Sequence, residues 1–170
     1  MKKENLQNGD LIFVRSQSEI AEAIQVATGT YNHVALYFNG QVYHATVDRG
    51  VIKEPLADFL KPEEVYAFYR YLQLDEKELL ARAEQHLGKP YNHSFYPEQD
   101  AFYCSEYIAE ILPLFETIPM KFGDEKHQIS PFWQEYYRSL GLEVPLGQAG
   151  TNPSQLAQST LLTYQGELDD

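Results

Sequence analysis

Apolar positions along the chain change period several times, and each change marks an element. Leu11-Ile12-Phe13-Val14 is a short apolar run after Gly9-Asp10 and predicts a strand. Ile20, Ala21, Ala23, Ile24 and Ala27 then fall at helical spacing. Ser16 with Glu19 resembles a capping box ahead of them, and Gly29 is a plausible stop.

Two β-prone runs follow, His33-Val34-Ala35-Leu36-Tyr37-Phe38 and Gln41-Val42-Tyr43-His44-Ala45. Asn39-Gly40 joins them, the strongest short-range hairpin signal. A two-residue turn sets Phe38 opposite Gln41, Tyr37 opposite Val42, Leu36 opposite Tyr43 and Ala35 opposite His44. Alternate side chains share a face, so His33, Ala35 and Tyr37 lie on the side of His44 and Thr46. His33 and His44 become diagonal cross-strand neighbours, with Cβ atoms roughly 6–8 Å apart. The bland alternative is a pair of half-buried strand histidines.

Val51-Ile52-Lys53 continues the sheet, Pro55 to Leu60 forms a short helix or turn, and Val65 to Arg70 is another strand. Asp75 with Glu78 opens a helix predicted from Glu76 to Leu87, ended by Gly88 and Pro90. Lys121 to Ser130 is a polar loop, Phe132 to Leu140 an aromatic-rich helix closed by Gly141, and Val144 to Gly150 a loop. Pro153 after Asn152 starts a last short helix through Ala157, and Glu167 to Asp170 is expected to fray. One α+β domain over residues 1–170, helices against a mostly antiparallel sheet, fits this order.

Cys104 is the sole cysteine, preceded by a loop from Gly88 to Ala101. Tyr107, Ile108, Ile111 and Leu112 behind it keep helical spacing until Pro113. Cys104 is therefore expected at a helix N-terminus. There the helix dipole favours a thiolate, with thiol pKa values of about 3.5–7.5 at such sites. The competing reading is a small buried apolar residue.

Composition narrows the partners. The 170 residues carry a formal net charge of -12, and the sequence pI is about 4.8. That balance argues against nucleic acid and against electrostatic attachment to anionic membranes or wall polymers. A single cysteine excludes an intrachain disulfide. No signal peptide or membrane-spanning run is visible, so the expectation is a cytoplasmic protein without stable membrane insertion.

A cysteine hydrolase needs a thiolate, a histidine that takes and returns the proton, and a group that orients that histidine. Cys104, His33 and His44 supply those types. The Cys104 N–H, with the hydroxyl of Tyr31 or Tyr103, is a candidate for the oxyanion. Cysteine and histidine also match zinc ligands, but CxxC-type spacing is absent, and His86, His93 and His127 lack ligand spacing to one another. No metal or other cofactor is expected. The acidic pairs Glu63-Glu64 and Glu76/Glu78 look like solvated surface.

Five segments, taken in order, resemble a known family. They are Asn8-Gly9-Asp10-Leu11-Ile12-Phe13, Asn32-His33-Val34-Ala35-Leu36-Tyr37, Val42-Tyr43-His44-Ala45, Gly88-Lys89-Pro90-Tyr91 and Tyr103-Cys104-Ser105-Glu106. Together they resemble the permuted NlpC-type cysteine hydrolases, most closely the YiiX/YebB-like branch, and Pro153 to Ser159 adds to the likeness. The resemblance implies a papain-like fold, a circularly permuted NlpC-type domain with an antiparallel sheet or partial barrel packed on the cysteine helix. It implies Cys104 as nucleophile and His33 as general base, with the orienting position on His44. Many members of the branch have Glu there, so His44 is a departure that the lecithin:retinol acyltransferase-like group shares. The implied function is thiol hydrolysis of an amide or peptide bond in a small peptide, amide or acyl substrate. A lipid acyl hydrolase or acyltransferase with the same residues, and a non-catalytic binding domain, are the alternatives. A groove lined with charged or amide groups would favour the amidase, and a long dry channel the lipid enzyme.

Overall fold

The computed structural model describes residues 1–97 and 100–169. A six-stranded sheet organises it, built from β1 (Leu11–Arg15), β2 (His33–Phe38), β3 (Gln41–Thr46), β4 (Gly50–Pro55), β5 (Val65–Tyr71) and β8 (Leu162–Glu167). The spatial order is β4-β3-β2-β1-β5-β8, and every neighbouring pair is antiparallel. A second, two-stranded ribbon pairs β6 (Ile118–Pro119) with β7 (Ala149–Gly150). The helices are α1 (Glu19–Thr28), α2 (Leu56–Phe59), α3 (Glu76–Gln85), α4 (Cys104–Ile111), α5 (Pro131–Leu140) and α6 (Pro153–Ala157). Among the described residues no helix is long and apolar enough to cross a membrane.

The Asn39-Gly40 turn forms as its sequence dictates. Both residues take positive φ, 49° and 78°, the left-handed pair a tight hairpin turn needs. The resulting register sets Leu36 opposite Tyr43, Tyr37 opposite Val42 and Phe38 opposite Gln41.

The sheet buries both faces. On one, Leu11, Phe13, Val34, Leu36, Tyr43 and Ala45 pack with Tyr107, Ile108 and Ile111 of α4 and Leu79 and Ala83 of α3. Burying an aliphatic side chain of this size contributes roughly 1.5–3 kcal/mol, so the apolar stripe of α4 holds that helix on the sheet. On the other face Ile12, Val14, Ala35, Val42, Tyr66 and Phe68 meet Phe59 of α2. A third cluster, Met120, Phe122, Trp133 and Tyr137, lies beyond the cysteine helix.

Several boundaries differ from the sequence expectation. Ser18, not Ser16, caps α1, accepting from Ala21 N–H at 3.1 Å. Ser16 is drawn away, its N–H to Asn32 Oδ1 (2.7 Å) and its hydroxyl to Glu64 Oε1 (2.8 Å). Helix α3 stops at Gln85 rather than Leu87. The loop expected over Val144 to Gly150 contributes β7. The largest omission is β8, an edge strand whose tyrosine and threonine are exposed, so that no clean apolar alternation marks it. Glu167 belongs to that strand, and Leu168 N–H donates to Tyr66 O at 2.9 Å, so this end is paired rather than frayed. Asp170, also expected to fray, lies outside the described residues. The caps at Asp75 and Asn152, and Gly141 in the left-handed conformation behind α5, agree with the sequence reading.

Candidate active site

Cys104 is the first residue of α4. The loop before it is tied down by backbone and side chain alike. Phe102 N–H donates to Pro90 O and Asn92 N–H to Phe102 O, each at 3.1 Å. The buried Asn92 amide reaches Glu106 Oε1 at 3.2 Å, and that oxygen also accepts from Tyr103 N–H at 3.2 Å. Those bonds set Tyr91 beside the helix start.

Across from it, the hairpin brings the two histidines together. His33 Nε2 lies 2.8 Å from His44 Nδ1, and the rings meet edge to face with centroids 5.1 Å apart. The row continues one strand further, where His44 Nε2 lies 2.6 Å from Glu54 Oε2. Phe59 covers both rings, at centroid distances of 6.4 Å from His33 and 5.0 Å from His44. Arg49 Nη2 approaches the same Glu54 oxygen at 3.5 Å.

Cys104, His33, His44 and Glu54 line one groove of about 440 Å³, together with Ser16, Asn32, Thr46, Arg49, Asp58, Lys61, Glu63, Glu64 and Tyr91 among others. The body of α4 packs on the opposite sheet face from the histidines. Only its first residue reaches the groove, at the start of β2, where Cys104 Sγ sits 4.0 Å from Asn32 O. A second, apolar recess of about 60 Å³ opens behind the cysteine, lined by Tyr103, Phe95, Met120, Phe122, Trp133 and Ile118. Cys104, Asn32, Ile24 and Tyr91 line both spaces, so the thiol stands in the wall between a wide groove that carries charged and amide groups and a small apolar recess.

The electrostatics depart from the expected low thiol pKa. Burial pushes the Cys104 thiol up to about 11, although the amides of Val34, Ser105 and Cys104 itself pull the other way. Starting from 9.0, that rise amounts to roughly 3 kcal/mol against the thiolate. A helix terminus returns only about 0.3–1 kcal/mol, which is why the N-terminal position does not win. Burial also lowers His33 to about 3, with His44 as the next cause, and lowers His44 to about 4, with Arg49 adding to it. The resting pair is a neutral thiol and a neutral imidazole, not an ion pair.

The two tyrosines expected near the oxyanion are placed differently. Tyr31 packs its ring on Phe13 and Tyr69, at 5.4 and 6.5 Å between centroids, and lines neither space. Tyr103 lines the recess, but its hydroxyl accepts from Thr151 N–H at 3.1 Å. Tyr91 is the tyrosine that lines both spaces, and burial holds its hydroxyl protonated. Its signal in the sequence is the Gly88-Lys89-Pro90-Tyr91 segment. Glu54 was also missed. Lys53 and Pro55 flank it as in any exposed strand end, and only the register of β3 on β4, with Val42 opposite Glu54, puts it in the histidine row.

The chain is 29% identical to the uncharacterized protein YiiX of Escherichia coli (strain K12), over 92% of this chain and 84% of that protein. Its fold matches the crystal structure of metalloprotein yiiX from Escherichia coli O157:H7 with a TM-score of 0.77, at 26% identity, over 94% of this chain and 96% of the other. That relative is described as a metalloprotein. Here His33 Nε2 is paired with His44 Nδ1 and His44 Nε2 with Glu54 Oε2, and among the described residues no group of three or more His, Cys, Asp or Glu side chains is arranged to hold a metal ion. Residues 5–163 match the model of a family described as permuted papain-like amidase enzymes, YaeF/YiiX, C92. With nearly the whole chain matched, and a cysteine helix packed on an antiparallel sheet that carries the histidines, this protein belongs to the YaeF/YiiX family of permuted papain-like amidase enzymes.

Proposed function

We propose that this protein is a thiol hydrolase that cleaves amide or peptide bonds, with Cys104 as nucleophile, His33 as general base and His44 orienting His33. The observation that carries the reading is the groove shared by Cys104 and His33, with His33 Nε2 already committed to His44. Only Nδ1 of His33 is left to take the thiol proton.

The chemistry follows from a neutral pair. As the Cys104 sulfur attacks the carbonyl carbon, its proton passes to His33 Nδ1, so the thiolate never stands free in a site that disfavours it. The carbonyl oxygen gains the charge. Backbone N–H groups at the start of α4 and the protonated Tyr91 hydroxyl are its candidate donors. Collapse breaks the C–N bond, and the leaving nitrogen takes the proton from His33. A water then gives its proton to His33 and its oxygen to the acyl carbon, which releases the acid and restores the thiol.

The dimensions of the site favour a small substrate. A water needs roughly 10–15 Å³ of such space, so the recess of about 60 Å³ holds a group of a few heavy atoms rather than a long chain. The larger groove is lined by charged and amide groups that pair with a peptide or small amide. These features favour the amidase over a lipid acyltransferase.

The test is a panel of N-acyl amino-acid p-nitroanilides and short peptides, set beside long-chain acyl lipids, assayed with wild type and Cys104→Ala. Release of amine with a transient acyl mass on Cys104, absent in the variant, is the expected result. Turnover of the lipids alone would shift the assignment to the acyltransferase class. Equal ligand binding by both proteins, with no acyl adduct on any substrate, would leave a binding domain.

A further inference from the structure

We propose that Glu54 is a positioning residue whose carboxylate, two side chains removed from Cys104, sets the tautomers of His44 and His33 so that Nδ1 of His33 is left bare to take the thiol proton. The proposal rests on the cysteine-hydrolase reading above and extends it to a residue that reaches the thiol only through the two histidines.

The argument starts at the far end of the row. A carboxylate only accepts hydrogen bonds. Glu54 Oε2 sits 2.6 Å from His44 Nε2, and the Arg49 guanidinium 3.5 Å from that oxygen is its counter-ion. His44 Nε2 must therefore carry the hydrogen. A neutral imidazole has one N–H, so His44 Nδ1 is a bare acceptor. His33 Nε2, 2.8 Å from that acceptor, must then carry its own hydrogen. His33 Nδ1 is left as a lone pair. A lone pair there is the requirement for accepting the Cys104 proton, and it is met because the row ends in an acceptor.

A histidine in the middle of the row could not do this alone. An imidazole can donate from either nitrogen, so a two-histidine row has two proton arrangements, and in one of them His33 Nδ1 bears a hydrogen and cannot act as a base. Glu54 removes that arrangement. Its burial on the same strand face, with 13% side-chain exposure, limits exchange of the partner oxygen for water. The row spans β2, β3 and β4, with each step diagonal in register, so no single hairpin contains it.

The experiment uses full-length protein with nitrogen-labelled histidine. Long-range proton–nitrogen correlation spectra at neutral pH report which ring nitrogen of each histidine is protonated. His33→Gln and His44→Gln assign the signals. In the wild type both rings should show protonated Nε2 and bare Nδ1. Glu54→Gln can donate from its amide, so protonated Nδ1 should appear on both rings. Glu54→Asp keeps an acceptor and should restore the wild-type pattern.

A second readout is the rate of Cys104 acylation by p-nitrophenyl acetate, expected to fall at least tenfold in Glu54→Gln, with the roughly 10⁴-fold loss seen when a group directly on a catalytic imidazole fixes the wrong tautomer as the ceiling. Glu54→Asp should recover most of it. Protonated Nδ1 on His33 of the wild type overturns the proposal. So does a Glu54→Gln spectrum identical to wild type in a protein whose circular dichroism is unchanged. If the spectra behave as expected and wild-type Cys104 is not acylated by any probe, the tautomer assignment stands and the hydrolase reading falls.

Discussion

Arg70 grips the carboxylate of Asp10 with two bonds, Nε to Oδ1 at 2.7 Å and Nη2 to Oδ2 at 2.9 Å, and that carboxylate has no solvent exposure. Asp10 also accepts from Gln7 N–H at 2.8 Å. The Gly-Asp pair that opens the first strand is thus a structural clamp between β1 and β5. It is not part of the groove. Breaking a buried pair by removing one partner costs about 3–5 kcal/mol. Asp10→Ala should lower the thermal midpoint by roughly 6–20 °C for a domain of this size. Differential scanning calorimetry checks it, and a change under 2 °C would mean the pair is well replaced by water.

Cys104 should alkylate slowly at neutral pH. With the thiol near 11 rather than 9.0, the thiolate fraction at pH 7 is about a hundredfold lower. Iodoacetamide labelling should rise steadily from pH 7 to 10 without a plateau. His33→Ala should abolish turnover and leave this labelling profile nearly unchanged, because the resting state holds no ion pair to lose. A labelling plateau below pH 8 that His33→Ala removes would show that the ion pair exists.

Acid should weaken the fold through the same histidines. Both rings are kept neutral by burial, to about 3 for His33 and about 4 for His44, while an unfolded imidazole takes a proton near pH 6.5. Between those limits the unfolded chain binds more protons, so stability rises with pH. The contribution is complete above pH 6.5 and drains away as the pH falls toward 4. Urea midpoints measured at pH 7, 6, 5 and 4 should decline, and His33→Gln should decline less steeply over the same range. Parallel curves would assign the loss to carboxylates instead.

Gly50 couples the histidine sheet to the cysteine loop. Its φ is +71°, and a Cβ there would stand 2.3 Å from the Lys89 carbonyl oxygen. Val51 N–H donates to that oxygen at 2.8 Å, and Gly88 N–H donates to Val51 O at 2.9 Å. Gly50→Ala must either strain the turn or lift the Gly88–Tyr91 segment off the strand, at a cost of roughly 1–3 kcal/mol. Activity should fall further than stability alone explains, through displaced Tyr91. A variant with normal turnover would show that the segment relaxes freely.

The legible parts of this molecule are those where one local rule decides. Asn39-Gly40 fixes a turn, the turn fixes the register, and the register puts His33 and His44 on one face. Cys104 at a helix start follows from Pro113 and the spacing of Tyr107, Ile108 and Ile111. What stayed hidden depends on distant packing. Glu54 enters the site through the register of the next hairpin, which lacks an Asn-Gly signal. The protonation state of Cys104 depends on how deeply α4 beds its first turn. Tyr31 and Tyr91 look alike in sequence, and only the tertiary structure turns one into the core and the other toward the thiol.

The diagonal row across β2, β3 and β4 has a consequence for the fidelity of folding. A strand slipped by one residue turns its apolar side chains to the wrong face and is rejected by the core. A strand slipped by two keeps every apolar residue on its proper face, so burial alone barely penalises it. That slip would still take His33 from its diagonal place beside His44, setting it either directly opposite or two residues further off, and a slip of the next pair would do the same to His44 and Glu54. The turns at Asn39-Gly40 and Gly50 are therefore proofreading elements: they discriminate between two folds that the core accepts almost equally, only one of which holds the histidine row at hydrogen-bonding distances.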